Sequence, residues 1–287
     1  MERIPNLSRL RANKPGYDTR YRIDTTHPLF NDPLVDPREP EFGFDDASSY
    51  YSKPNPMTGQ VLPGVPDAPL VRLDIAKRLK QANDFLLSDV EVRDTLGSPA
   101  RIKIDDALRP AEVQRFAYEF AWPKIIRQAN PNLSEEEVVE LLPKYVAKPK
   151  IDTPTPHLTG GSVDVKLINA ETGEAFDRGH DRGSIAGTAL PDFYEDYQAN
   201  WDESDIENLA PEDTNKIVLL GRRVLYFAMV KVGGLYVNPD EIWHYGKGDP
   251  LSEYVSGSGH PYYGIASLPQ WYKDEMEELK NKKTTDF

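Results

Sequence analysis

The stretch Pro156–Asp164, which reads Pro-His-Leu-Thr-Gly-Gly-Ser-Val-Asp, decides the fold around the chemically most informative part of this chain. Far downstream, Glu241–His244 reads Glu-Ile-Trp-His. Together the two stretches offer two imidazoles and two carboxylates, and a catalytic zinc site typically has three protein ligands and one open position. A second carboxylate beside such a site, not needed as a ligand, can act as a general base. The candidate ligands are His157, Asp164 and His244, and the candidate base is Glu241.

The local sequence predicts how these side chains meet. Ser162–Leu167 alternates polar and apolar residues, which is typical of a half-buried strand. His157 and Asp164 have an odd spacing, so one straight strand would place them on opposite faces. The chain must therefore turn between them, and the pair Gly160–Gly161 can adopt the unusual dihedral angles of such a turn.

Glu241 and His244 are also at an odd spacing, so we expect a bulge, a turn or one helical turn there. On spacing alone another interpretation stays open, because a lone histidine or aspartate is more often a solvated or packed side chain than a ligand. Two of the five histidines fall in the two stretches, which favours metal binding modestly.

Several motifs occur in an order that resembles a known family. His157–Asp164 (His-x-x-Gly-x-x-x-Asp) followed by Glu241–His244 (Glu-x-Trp-His) is similar to the paired signature of the zinc D-alanyl-D-alanine dipeptidases of the VanX type, within the wider group of zinc DD- and LD-peptidases of family M15. Asp106–Pro110 (Asp-Ala-Leu-Arg-Pro) and Phe176–Asp177 resemble two further motifs of that family. The resemblance runs from about Val71 to Tyr245.

The resemblance implies an α+β fold with an antiparallel sheet flanked by helices. It also implies zinc-dependent hydrolysis of D-alanyl-D-alanine or a similar small dipeptide. The roles it implies are Zn²⁺ ligation by His157, Asp164 and His244, proton transfer by Glu241, transition-state stabilisation by Arg109, and substrate binding by Asp177 and Thr155.

The sequence departs from the family pattern at Leu108, where the family has tyrosine, at Thr155, where it has serine, and in the loop after Asp177. These departures leave a second function open, a DD- or LD-carboxypeptidase acting on peptidoglycan stem peptides. A non-catalytic zinc-stabilised binding protein is a third alternative. Glu241 disfavours it, because zinc binding alone does not require that carboxylate.

Periodicity and cap residues predict the remaining elements. The Ala111 helix should kink or stop at Pro123, Ser134 should open a capping box, Thr214 should cap the longest helix, and Gly233–Gly234 should end that helix in the left-handed conformation. The predicted helices are Val71–Leu87, Ala111–Trp122, Ser134–Leu142 and Thr214–Val232, and the predicted strands are Ala100–Asp106, Leu235–Val237 and Ile242–Tyr245.

Two regions are predicted within one domain. Residues 1–70 form a loop-rich N-terminal wrap, and residues 71–287 form the zinc peptidase domain with a C-terminal extension. A disordered leader is the alternative for the proline-rich residues 15–69. The following aromatic and apolar anchors favour an ordered wrap instead: Tyr17, Tyr21, Leu29, Phe30, Phe42, Phe44, Tyr50 and Tyr51.

The composition limits the classes of binding partner that the protein can have. Lys and Arg total 34 against 47 Asp and Glu, a net charge of −13, which disfavours nucleic acid and anionic membrane surfaces. No stretch has the length and apolarity of a membrane span, and the absence of cysteine excludes thiolate ligands. Met1–Lys14 lacks the apolar run of a signal peptide. We therefore expect a cytoplasmic protein, or a periplasmic one if a signal peptide was removed.

Overall fold

The computed structural model describes most of the chain. The described residues are 1–7, 22–48, 68–146, 148, 154–177, 179, 189–196, 213–268, 270 and 273–274. The predicted α+β class is confirmed, since a four-stranded antiparallel sheet is flanked by helices.

The central sheet has the strand order β3-β4-β6-β5 and is antiparallel throughout. Its strands are β3 (Ala100–Asp106), β4 (Ser162–Asn169), β5 (Tyr236–Asn238) and β6 (Glu241–Gly246). A separate two-stranded ladder pairs β1 (Leu34–Val35) with β2 (Val71–Arg72). The predicted strand at 100–106 is confirmed, and the predicted C-terminal pair is the β5–β6 hairpin.

Eight α-helical segments are described. They are α1 (Leu73–Ser88), α2 (Val90–Leu96), α3 (Ala111–Phe116), α4 (Trp122–Ala129), α5 (Glu135–Leu141), α6 (Phe193–Asp196), α7 (Thr214–Tyr226) and α8 (Pro250–Ser256). Helix α1 begins two residues later than predicted, because Val71–Arg72 pairs with Leu34–Val35 instead.

Pro123 does not end its helix, which corrects part of the prediction. A π-helical turn, Ala117–Ala121, joins α3 to α4, and the Trp122 amide donates to the Ala117 carbonyl. This wider turn lies immediately before the proline, whose missing N–H and ring disfavour a regular α-helical turn. The Ser134 capping box is confirmed, with both reciprocal bonds to Glu137 present.

The longest helix also differs from its prediction at both ends. Asp213, not Thr214, is the cap, and its carboxylate accepts from the amides of Asn215 and Lys216. After Tyr226 the helix continues as a π-helical segment to Val232. Of the two glycines that follow, Gly234 alone is left-handed, with φ of 65°.

The main core lies between the sheet and helices α1 and α7. Leu79, Ile104, Val165, Val224 and Met229 belong to this cluster. Strand β4 was predicted to be half-buried, but all its residues except Lys166 and Asn169 are buried. This is a correction. It follows from the position of β4 between two neighbouring strands and from polar partners on its second face, such as Asp249, which accepts from the Ser162 hydroxyl at 2.9 Å.

The N-terminal region contributes to this core where it is described. Phe42 and Phe44 are buried in the main cluster, and the Ser48 amide donates to the Ile104 carbonyl of β3 at 3.1 Å. The predicted anchors at positions 17, 21, 50 and 51 lie outside the described residues. The assignment of residues 1–70 and 71–287 to one domain therefore stays a prediction. Within the described ranges, no helix is both long and apolar enough to cross a bilayer.

Candidate metal centre

Three predicted ligands meet where strand β4 pairs with strand β6. Asp164 and His244 are direct cross-strand partners, and His244 Nδ1 lies 3.0 Å from Asp164 Oδ1. His157 approaches from outside the sheet, with its Nε2 atom 3.3 Å from the same oxygen. The two imidazole rings meet edge to face, with centroids 4.7 Å apart. The structure thus brings two nitrogens and one carboxylate to a single point.

The turn predicted between His157 and Asp164 is present. Pro156–Thr159 forms a 3₁₀ helix with proline in its first turn, where the missing N–H has no intrahelical partner to lose. Gly160 then has φ of 70°, a conformation that side-chain-bearing residues rarely adopt. This reversal starts β4 at Ser162 and returns Asp164 toward His157.

The three side chains fit a metal ion of the zinc type. His157 Nδ1 lies 2.7 Å from the Ala107 carbonyl oxygen, which can only accept, so Nδ1 carries a proton and Nε2 is the nitrogen available to a metal ion. One donor atom from each of His157, Asp164 and His244 lies within 4.8 Å of the others. All three residues are buried, and two imidazoles with one carboxylate form a donor set common among catalytic zinc sites.

The charges within the cluster reinforce one another. Burial acts to raise the pKa of Asp164, but the His157 and His244 imidazoles outweigh it and hold that pKa well below its ordinary value. Burial acts to lower the pKa of His244, yet hydrogen bonding to Asp164 and the charges of Asp164, Glu241 and Asp249 raise it. Asp164 is therefore a carboxylate, the form that binds a cation.

Glu241 lies beside the three ligands rather than among them. It opens β6, its side chain is 40% exposed, and its Oε2 atom is 3.8 Å from His244 Nδ1. Asn238 Nδ2 donates to the same oxygen at 2.8 Å. A bulge, a turn or one helical turn was predicted here, and the structure has a register shift. Val237 pairs with Tyr245 whereas Asn238 pairs with Glu241, which leaves 242–244 without partners on β5.

Arg109 is linked to the metal centre by a hydrogen bond to the turn that carries His157. Its amide donates to the His157 carbonyl at 3.0 Å. Its guanidinium donates to Asp106 Oδ2 and to Gln114 Oε1, each at 2.8 Å. Asp106 is fully buried and is the cross-strand partner of Asp164. Asp106 and Arg109 lie within one motif of the sequence, but sequence reasoning missed Gln114. The only signal for Gln114 was its position in α3, directly after Pro110.

The two predicted substrate-binding residues occupy different environments. Thr155 precedes the 3₁₀ helix, and its buried hydroxyl has no hydrogen-bond partner among the residues that the structure describes. Asp177 is exposed after β4, and its carboxylate accepts from the Gly179 amide at 2.7 Å. Asp177 also lines a pocket with Trp243. His180, in the loop after Asp177, lies outside the described residues.

A comparison with known proteins finds one distant relative. The chain is 27% identical over 210 residues to a D-alanyl-D-alanine dipeptidase of Synechocystis sp. (strain ATCC 27184 / PCC 6803 / Kazusa), and the alignment covers 68% of this chain and 78% of that protein. No protein-family model matches the chain. The similarity supports a distant relationship to the dipeptidases of family M15, and it favours a hydrolase.

Proposed function

We propose that this protein is a zinc-dependent peptidase that hydrolyses D-alanyl-D-alanine or a similar small dipeptide. The observation that carries the proposal is the convergence of His157, Asp164 and His244, with the Glu241 carboxylate 3.8 Å from His244 Nδ1. A purely structural zinc site is normally closed by four protein ligands. Three ligands with an additional carboxylate beside them instead suit hydrolysis, and the distant relative is itself named as a D-alanyl-D-alanine dipeptidase.

The proposed chemistry divides between the ion and the chain. When bound to the three ligands, Zn²⁺ supplies Lewis acidity that polarises a carbonyl group and lowers the pKa of water. Glu241 takes the proton of the attacking water and later passes it to the leaving amine. The hydrogen bond from Asn238 fixes the direction of the Glu241 carboxylate while the exposed part of that side chain remains open to water.

Arg109 supplies positive charge for the oxyanion that develops at the scissile carbonyl. Asp106 and Gln114 each hold one terminal nitrogen of its guanidinium, so little reorganisation is needed as charge develops. Its side chain is 14% exposed, and charge stabilisation is stronger in such a partly dehydrated position than in water.

The other polar groups of the site are assigned to substrate binding. Asp177 would pair with the free amine of a dipeptide, and the buried Thr155 hydroxyl can bond to the substrate backbone.

The decisive experiment combines metal analysis with hydrolysis. Protein purified without chelator and dialysed at neutral pH should contain one Zn²⁺ per chain and release D-alanine from D-alanyl-D-alanine. Activity should disappear with a chelator and return with stoichiometric zinc. Zinc content near zero after zinc addition, or a zinc-loaded protein without activity on D,D- and L,D-dipeptides, would contradict the proposal.

A further inference from the structure

The turn that carries His157 has an unusual arrangement of hydrogen bonds. Five consecutive carbonyl oxygens, those of residues 157–161, each accept a hydrogen bond from a distant part of the chain. The donors are the Arg109 amide (3.0 Å), the Ala266 amide (2.9 Å), Arg72 Nε (2.8 Å), the Arg72 amide (2.9 Å) and the Lys247 amide (3.0 Å), in that order. The position of His157 is thus set by four other segments, near residues 72, 109, 247 and 266, as well as by its own.

Only one of these five donors is a side chain. Arg72 Nε donates to the Thr159 carbonyl, at the end of the 3₁₀ helix that begins with Pro156. The same guanidinium donates through Nη1 to the Asp32 carbonyl at 2.6 Å. Arg72 is only 8% exposed. The rigid fork of a guanidinium can hold two acceptors at a fixed separation, so Arg72 ties residue 32 of the N-terminal region to the His157 turn.

A second residue supports the guanidinium from the C-terminal region. The Arg72 guanidinium lies over the Tyr263 ring, 4.9 Å from its centroid, and the Tyr263 hydroxyl donates to Asp32 Oδ2 at 3.2 Å. Tyr263 is fully buried and packs against Gly161, where an added Cβ would lie 2.8 Å from the ring. Asp32, before the central sheet, and Tyr263, after it, are thereby both linked to the turn that carries His157.

We propose that Arg72 is a positioning residue for the metal centre, which holds the His157 turn in its ligating geometry with Asp32 and Tyr263 as supports. This inference rests on the proposed function for its metal. It assigns a role in the site to segments near residue 32 and residue 263, which contribute no ligand. Removal of a direct hydrogen-bond partner of a metal ligand typically lowers metal affinity about 10–100-fold, and we take this range for Arg72, which bonds to the turn two residues after His157.

Arg78 provides a matched control on the adjoining helix. Arg72 binds two backbone carbonyls, and Arg78 binds one carboxylate and one backbone carbonyl. Its Nε lies 2.7 Å from Asp74 and its Nη1 lies 3.1 Å from the Gly233 oxygen. Gly233 follows the long helix rather than the His157 turn. A general loss of stability should appear in both arginine variants, whereas a loss of ligand positioning should appear only at Arg72.

The test measures zinc affinity by chelator competition, the visible absorption of the Co²⁺ form, and backbone amide exchange in the metal-free protein. Arg72→Gln should lower zinc affinity about 10–100-fold and alter the Co²⁺ spectrum, and Arg78→Gln should change neither. Without metal, Arg72→Gln should also speed exchange at the Ala266 and Arg109 amides, because both donate to the loosened turn.

Arg72→Lys keeps the charge but not the fork, so its affinity should fall between those of wild type and Arg72→Gln, and it replaces Arg72→Gln if that variant does not fold. Zinc affinity of Arg72→Gln or Arg72→Lys within twofold of wild type would overturn the inference, as would an equal loss in Arg78→Gln. If the wild-type protein binds no metal, the proposed function fails, and unchanged exchange at Ala266 and Arg109 in Arg72→Gln would then separately reject a positioning role.

Discussion

Asp164 and His244 face each other across paired antiparallel strands, with Oδ1 and Nδ1 3.0 Å apart. Asp106 pairs with Asp164 on its other side, so three functional positions form one row across β3, β4 and β6. The row places two candidate ligands beside the buried carboxylate that anchors Arg109. Backbone pairing therefore fixes both the metal-binding groups and the positive charge of the site.

The first prediction concerns the ligands. His157→Ala, Asp164→Ala and His244→Ala should each lose tightly bound zinc, because removal of one of three ligands leaves too few to hold the ion. Metal analysis after dialysis at neutral pH checks this. The control is His260→Ala, which removes an exposed imidazole and should retain zinc. Stoichiometric zinc in any two of the ligand variants would show that the ligands are assigned wrongly.

Glu241 should be required for turnover but not for metal binding. Glu241→Gln should keep one zinc per chain and lose several orders of magnitude in kcat, since the attacking water no longer has a base. Asn238→Ala should give a smaller loss in kcat, because it only frees the Glu241 carboxylate from its 2.8 Å hydrogen bond. If Glu241→Gln loses zinc while its rate per bound zinc is unchanged, Glu241 is a ligand instead.

Substitutions at Arg109 and at its partner Gln114 should lower kcat to different extents. Arg109→Ala should retain zinc but lower kcat about 10²–10³-fold, the usual effect of removing one oxyanion donor. Gln114→Ala should cost about tenfold, since a hydrogen bond to a charged group contributes about 1.5 kcal/mol. Exposed Arg115 is the control, and Arg115→Ala should leave kcat unchanged. Equal kcat in Arg109→Ala and wild type would exclude Arg109 from the reaction.

Acid should weaken zinc binding before it unfolds the protein. The pKa of His244 is raised above its ordinary value of about 6.5, so in the metal-free protein a proton occupies this ligand up to a higher pH. Apparent zinc affinity should fall as pH falls through that raised pKa. Chelator competition from pH 8 to pH 5 measures the fall, and a constant affinity over this range would contradict it.

The stability of the metal-free protein should follow the opposite trend near neutrality. A raised folded-state pKa stabilises the fold below the unfolded value of about 6.5 and loses that contribution as pH rises through the folded pKa. The lowered pKa of Asp164 contributes stability above about pH 3.9, which is lost only as pH falls through its folded pKa. Urea unfolding of the metal-free protein should show greatest stability between these limits. His244→Gln should remove the decline above pH 6.5.

Local patterns explain why much of the fold could be predicted. Alternation at Ala100–Asp106, the capping box at Ser134 and the glycines before Ser162 each have short-range physical causes, and the structure confirms them. The beginning of α1 could not be read locally, because Val71 and Arg72 join a strand whose partner lies near residue 34. The cap of α7 could not be predicted either. Asp213 and Thr214 can both cap a helix, and only the backbone angles of the folded chain show that Asp213 does so.

In the candidate site, too, some features could be predicted from the sequence and others could not. The motifs predicted which residues converge, and the odd spacings predicted that turns and bulges would be needed. They could not predict Gln114 or Arg72, because these residues act through contacts with Arg109 and with the Thr159 carbonyl that only the folded chain creates. Supporting residues carry no signature of their own in a single sequence.

The last prediction concerns substrate size. The Asp177 carboxylate is exposed, and we assign it to the free amine of the substrate on the resemblance of Phe176–Asp177 to a family motif. An amine held near the metal centre leaves room for one residue before the scissile bond. A blocked amine would remove the charge that pairs with this carboxylate, which disfavours binding. We therefore expect cleavage of D-alanyl-D-alanine and little action on its N-acetyl form or on stem pentapeptides.

Asp177→Asn tests the source of this preference. It should lower kcat/KM for the free dipeptide, leave the zinc content unchanged and reduce the discrimination against the N-acetyl form, because the lost ion pair contributes only to the free substrate. Glu174→Gln, which alters another exposed carboxylate before the Phe176–Asp177 pair, should have none of these effects. Similar kcat/KM values of the wild-type enzyme for D-alanyl-D-alanine and its N-acetyl form would reject the dipeptidase assignment and favour a carboxypeptidase, because such an enzyme measures its substrate from the C-terminal end.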